Sequence, residues 1–248
     1  KIIIHLNMSY NSKRIILGIG TGRCGTGSLV KLFREQKISE YNNSKDIKLS
    51  YIQHEGYLKN NNLIWYSDNN QKKQYVKLYL DIVKHNLEKM YYVSDSHVYN
   101  SMDNNIESDI LFHININCGL LSYLDEFFKQ CENIRIVCLR RDKKKTIQSF
   151  LNLIKVYPES VLNLKRWNKD NSILPIYKEG SLEDNISDYY DKYYEMVEKI
   201  KNKYPDKIRC YNTETLFSSE TEQREMLEFC GFENPCILVN IYENKNNF

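Results

Sequence analysis

The sequence predicts an α/β fold, a mainly parallel sheet with helices on both faces. Three observations predict it. "RIILGIG" and "IRIVCL" are short runs, apolar along most of their length, as strands are when both faces of a sheet are covered. Each leads into a stretch of helical periodicity, "TGSLVKLFREQK" and "KKTIQSFLNLIKV". The 248 residues, 42% hydrophobic, suffice for one large domain, read here as residues 1–248.

In chain order, "RIILGIG" is the first strand, and Leu29, Val30, Leu32 and Phe33 give the following helix its apolar face. Asn and Lys then thicken through "NNSKDIKLSYIQHEGYLKNNNLIWYSDNNQKK", which reads as loop with a short strand at "KLSYI". "QYVKLYLDIVKHNLEKM" is a helix, "YYVSDSHVY" another strand, and "LLSYLDEFFKQCEN" a helix feeding the strand "IRIVCLRRD". A polar stretch leads to the helix "ISDYYDKYYEMVEKIKNKY", then to a last strand, "IRCYNTETLF", and a closing helix, "TEQREMLEFCGF". His113, in "LFHINI", is read as packing. Ligands of such sheets sit beyond the strand C-termini, where "GIGTGRCGTG" and "CLRRD" both emerge.

Composition narrows the partners. A net charge of +3 is too mild for a general nucleic-acid binder, but a few placed basic residues serve a small anionic ligand. Seven cysteines without a CxxC pair indicate neither a zinc site nor a redox motif, and fit small buried hydrophobes in a reducing compartment. No run approaches the roughly 18 apolar residues of a membrane span, and "KIIIHLNMSYN" is too short and polar for a signal peptide. A soluble, cytoplasmic protein without a membrane span is expected, although a chain starting at Lys1 is compatible with a trimmed upstream segment.

The glycine-rich stretch can be set against three phosphate-loop patterns. The triphosphate pattern GxxxxGK[ST] fails, because Gly20 and Gly25 have the spacing but Thr26 stands at the lysine position. The dinucleotide fingerprint GxGxxG is present as Gly20, Gly22 and Gly25, with Glu40 at about the distance where an acidic residue holds a ribose. In the third pattern, Gly25 and Gly27 let backbone amides face an anion at a helix N-terminus. Thr26 and Ser28 add hydroxyls, and Arg23 a fixed charge.

On these residues, "GTGRCGTGSL" resembles the 5′-phosphosulfate loop of sulfotransferases that use 3′-phosphoadenosine 5′-phosphosulfate (PAPS). The resemblance implies that Arg23, Cys24, Gly25, Thr26, Gly27 and Ser28 bind that donor. A second motif supports it. In the family a strand ends in Arg, followed by Asp or Asn, with a Ser eight residues after the Arg, and the Arg and Ser bind the 3′-phosphate. "IRIVCLRRDKKKTIQSFL" offers Arg141, Asp142 and Ser149 at that spacing, with Arg140 as the other candidate arginine and Lys143 where many members have Pro. An arginine at a strand's end and a hydroxyl two helical turns on can converge on one phosphate. "RWNKDNSILPIYKEGSLEDNISDYYDKYYE" and "LFSSETEQREMLEFCGF" are also similar to a bacterial sulfotransferase-like family.

The resemblance implies a P-loop nucleoside-triphosphate-hydrolase-like sulfotransferase fold, PAPS as donor, 3′-phosphoadenosine 5′-phosphate (PAP) as product and no metal. The acceptor is read as a small molecule, lipid or saccharide, and residues 39–81, Asn-rich and irregular, are expected to overhang the sheet's C-terminal edge as an acceptor-side insertion. Arg23 would polarise the bridging oxygen of an in-line displacement. Two sets compete for the general base: His54 with Glu55, and His97 with Asp95. Trp167, Tyr189, Tyr190 and Tyr193 are candidates for an acceptor or adenine surface, although core packing explains tyrosines in this pattern as well. The alternatives are a Rossmann-type NAD(P)-dependent oxidoreductase, which leaves Arg141 and Ser149 without a task, and a non-catalytic nucleotide-binding protein of the same fold.

Overall fold

The computed structural model describes residues 14–36, 50–54, 68–88, 92–94, 97–99, 112–156, 180–232 and 234–241. Strand β1 (Arg14–Ile19) is followed by α1 (Thr26–Arg34), β2 (Ser50–His54), α2 (Asn69–Glu88), β3 (Tyr92–Ser94) and β4 (His97–Tyr99). Strand β5 (Phe112–Ile116) then leads through a 3₁₀ turn (Cys118–Tyr123) to α3 (Leu124–Gln130), β6 (Ile134–Arg140) and α4 (Lys143–Val156). The remaining elements are α5 (Leu182–Lys203), β7 (Ile208–Asn212), α6 (Thr213–Leu216) and α7 (Glu220–Cys230).

The main sheet has five strands in the order β2-β5-β1-β6-β7, and every neighbouring pair is parallel. Alternation along β1 divides the core. Ile15, Leu17 and Ile19 pack with residues of α2, α3, α4 and α5 on one face. Ile16 packs with residues of α1, α6 and α7 on the other. Covering both faces is what makes β1 apolar along its length.

Strand order locates the ligand crevice. From β1 the chain moves outward past β5 to β2, whereas from β6 it moves the opposite way to β7. Neighbouring strands whose connections diverge leave a crevice beyond their C-terminal ends, here between β1 and β6. The loop after Ile19 and the turn after Arg140 both open there.

Three expectations are corrected. "YYVSDSHVY" is no strand of the main sheet: β3 and β4 pair antiparallel with each other, Ser94 opposite His97, in a separate two-stranded sheet. The last strand stops at Asn212, whose side chain accepts from the amides of Glu214 and Thr215 and starts α6. The strand beside β1 is β5, "FHINI", unrecognised in the sequence because His113 and Asn115 interrupt its apolar pattern. Both are buried. His113 Nε2 lies 2.9 Å from the Tyr79 hydroxyl, and burial pushes the imidazole down to about 3, so the ring is neutral. The expected insertion at 39–81 contributes edge strand β2 and residues 68–81, which lead into and begin α2, its other residues lying outside those described. No described helix is long and apolar enough to cross a membrane.

The cysteines give a first expected result. Cys236 is exposed, while Cys24, Cys138 and Cys230 are buried. Burial pushes the Cys24 thiol up to about 12 and raises Cys230 as well, and a hydrogen bond with Cys210, with burial, raises Cys138. Alkylation near neutral pH followed by peptide mass spectrometry should label Cys236 in the folded protein. It should reach Cys24, Cys138 and Cys230 only after denaturation.

Candidate functional site

The loop between β1 and α1 is shaped by close approach and by left-handed backbone. A Cβ on Gly20 would lie 2.4 Å from Cys24 Sγ and 2.9 Å from the Leu139 carbonyl oxygen, so β1 and β6 meet there only without a side chain. Gly22, Arg23 and Gly25 have φ of 78°, 54° and 94°. A left-handed arginine is strained and persists only when its surroundings hold it. Turns of this kind offer successive amides to an anion. Leu29 donates the first helical bond, to the Gly25 carbonyl (3.1 Å), so the amides of residues 26–28 lie at the positive end of α1.

Side chains from distant elements hold the loop. Arg141 Nη1 donates to the Arg23 carbonyl (3.1 Å) and Arg23 Nε to Ser149 Oγ (3.1 Å). Thr213 Oγ1 donates to the Cys24 carbonyl (2.7 Å). Tyr189 donates to the Thr21 carbonyl (2.9 Å) and Tyr190 to the Arg141 carbonyl (2.7 Å). The Tyr193 hydroxyl accepts the Gly20 amide (3.0 Å) and donates to the Cys118 carbonyl (3.1 Å), and Tyr194 donates to the Leu139 carbonyl (2.7 Å).

The site is basic. Asp142 caps α4, accepting the Lys145 amide on Oδ1 (2.9 Å) and the Thr146 hydroxyl on its carbonyl (2.9 Å). Lys143, Lys144 and Lys145 then occupy the first turn of α4, where the helix dipole disfavours cations. Neither α1, α2 nor α4 has an acidic residue in its first turn, whereas α3, α5, α6 and α7 all do. Asp191 pairs with Lys143 (2.6 Å), and Glu214 Oε1 lies 3.4 Å from Lys145 Nζ and 3.8 Å from Arg141 Nε. Glu214 Oε2 is buried without a hydrogen-bond partner. Two helix N-termini with this excess of cationic groups are chemically suited to an anion, or to two.

Among the residues singled out in the sequence, Arg23, Arg141 and Ser149 are brought together. Arg140 lies instead against the tyrosines of α5, its guanidinium 4.9 Å from the centre of the Tyr194 ring. Gly25, Thr26 and Gly27 form the loop's exit into α1. Cys24 is fully buried and Ser28 is 2% exposed, so what these two offer an anion is backbone amide. His54 ends β2, level with Ile116 of β5, on the C-terminal edge of the sheet. His97 belongs to the hairpin, while Glu55, Asp95 and Trp167 lie outside the described residues. Tyr189, Tyr190 and Tyr193 are core residues, as their pattern allows, but sequence reasoning missed that their hydroxyls fasten the loop. It also missed Thr213 and Glu214. The only signal was their place in "YNTET", directly after a strand of the same sheet. No protein-family profile and no curated protein matches the chain.

Proposed function

We propose that the protein is a sulfotransferase moving a sulfuryl group from PAPS to a hydroxyl or amine of a small-molecule, lipid or saccharide acceptor. The observation that carries this reading is the Arg23–Ser149 hydrogen bond, between residues 126 positions apart. Two motifs that the sequence resemblance selects separately meet at the crevice between β1 and β6, and Arg141 ties them at the Arg23 carbonyl. The donor set is chemically apt: amides at a helix N-terminus and two arginines suit a ligand with anionic groups at two ends.

The roles follow from the side chains. Bound PAPS supplies the activated sulfuryl group, and PAP is left after transfer. The amides leading α1, with Thr26, hold the 5′ end, and Arg23 keeps a permanent positive charge beside the oxygen that gains charge. Ser149 accepts from Arg23 and retains its own hydroxyl hydrogen to donate to the 3′-phosphate, which Arg141 also engages. A base drawn from His54, Glu55, Asp95 and His97 takes the acceptor's proton. Of these, His54 stands on the main sheet's C-terminal edge. The dinucleotide alternative is disfavoured by strand order, since the Rossmann sheet sets β2 beside β1 and here β5 occupies that place.

Calorimetric titration with PAP, with NAD in parallel, tests the reading. The expected result is micromolar binding of PAP and none of NAD. Preference for NAD, or binding of neither, overturns it. Binding of PAP without turnover over a panel of acceptors would favour the non-catalytic alternative.

A further inference from the structure

Helix α5 turns Tyr189, Tyr190, Tyr193 and Tyr194 to the sheet, a spacing that gathers them on one face. All are buried, and their rings contact one another, Tyr189 edge-on to Tyr193 and Tyr193 edge-on to Tyr194. Burial accounts for the rings but not for the hydroxyls, since phenylalanine fills such space without a polar atom to satisfy. Every one of these hydroxyls ends on backbone at the C-terminal edge of the sheet, the edge that carries the anion site.

Resting on the sulfotransferase reading, we propose that the tyrosine face of α5 is the positioning device of the donor site. Its hydroxyls draw the carbonyls of Thr21, Leu139 and Arg141 into the core, leaving amides and guanidinium groups to meet the anion. A carbonyl oxygen turned towards a phosphate or sulfate would repel it. Tyr189 and Tyr193 hold the loop after β1, while Tyr190 and Tyr194 hold the end of β6 and the residue after it. Both halves of the site are thus set by one rigid helix. Tyr193 links three segments, because it accepts from Gly20 after β1 and donates to Cys118 after β5. Burial raises the Tyr193 and Tyr194 phenols above their ordinary range, which keeps them protonated and able to donate.

The test compares Tyr193→Phe and Tyr189→Phe with Tyr204→Phe. The last is a control: Tyr204 donates to Asp125 Oδ1 (2.8 Å), away from the loop. Hydrogen exchange of residues 20–28 is measured in the ligand-free proteins, and PAP affinity by calorimetry. The loop variants should exchange about tenfold faster there and bind PAP about tenfold more weakly. The control should change neither, although its melting temperature falls comparably. Loop exchange and affinity in Tyr189→Phe and Tyr193→Phe that match the control overturn the proposal. If Tyr193→Phe fails to fold, Tyr189→Phe, which removes the hydroxyl bonded to the Thr21 carbonyl, decides. If the unaltered protein binds no PAP, the donor reading fails, and loop exchange alone then decides the role of the tyrosines.

Discussion

Replacing Arg141 by alanine should weaken PAP binding by about hundredfold or more, the size expected when two charge-assisted hydrogen bonds of about 1.5 kcal/mol or more are lost together. Arg141 combines two tasks. Under the proposed reading it offers a planar charged group to the 3′-phosphate, while its Nη1 holds the Arg23 carbonyl, keeping the neighbouring loop in shape. Arg141→Lys should recover only part of the loss, because an ammonium keeps the charge but cannot fork between a phosphate and a carbonyl. Arg140→Ala is the internal comparison. Its guanidinium stacks on Tyr194, so affinity should change by less than about threefold, within what a single exposed charge contributes. Titration of all three variants with PAP reads these differences, and equal losses at positions 140 and 141 would contradict the assignment of the phosphate arginine.

Gly25→Ala should lower stability by about 3 kcal/mol, from a left-handed backbone cost of about 1–2 kcal/mol plus the overpacking of a crowded site. The added Cβ would lie 2.7 Å from Thr213 Cγ2 and 3.1 Å from the Phe217 ring. Thr213 cannot step aside without breaking its 2.7 Å bond to the Cys24 carbonyl, and Phe217 is fully buried. For a chain of this size the melting temperature should fall by about 6–12 °C. Adding Thr213→Ser removes the clashing methyl and keeps the hydroxyl. The double variant should therefore recover the steric share but not the backbone share, a coupling that thermal unfolding of the four proteins measures.

The sequence was most legible where one physical signal acted alone. β1 and β6 were plain because burial on both faces leaves no alternation to misread, and α1, α4 and α5 because their apolar spacing is regular. β5 was missed because its polar side chains find buried surroundings only after α2 and α3 have packed, which no local pattern announces. β3 and β4 were merged because two three-residue strands so close in sequence, each rich in strand-favouring types, read as one irregular strand. The site followed the same division. Arg23, Arg141 and Ser149 sit in motifs with fixed local spacing, so they could be named. The loop's anchors, Tyr189, Tyr193 and Thr213, act across separations of 168, 173 and 189 residues, and only the fold shows what their hydroxyls reach.

Those separations bear on how the protein comes to be. Residues 20–25 leave the ribosome long before the segments that shape them, since the Cys24 carbonyl waits 189 residues for Thr213. No early fragment can hold the loop in its left-handed form, and pairings so distant in sequence are slow to form. Competence to bind an anion is thus acquired at the end of folding rather than with the first strand and helix. A nascent chain interrupted before α5 would carry the loop's full sequence and none of its geometry, so donor affinity should report completion of the fold.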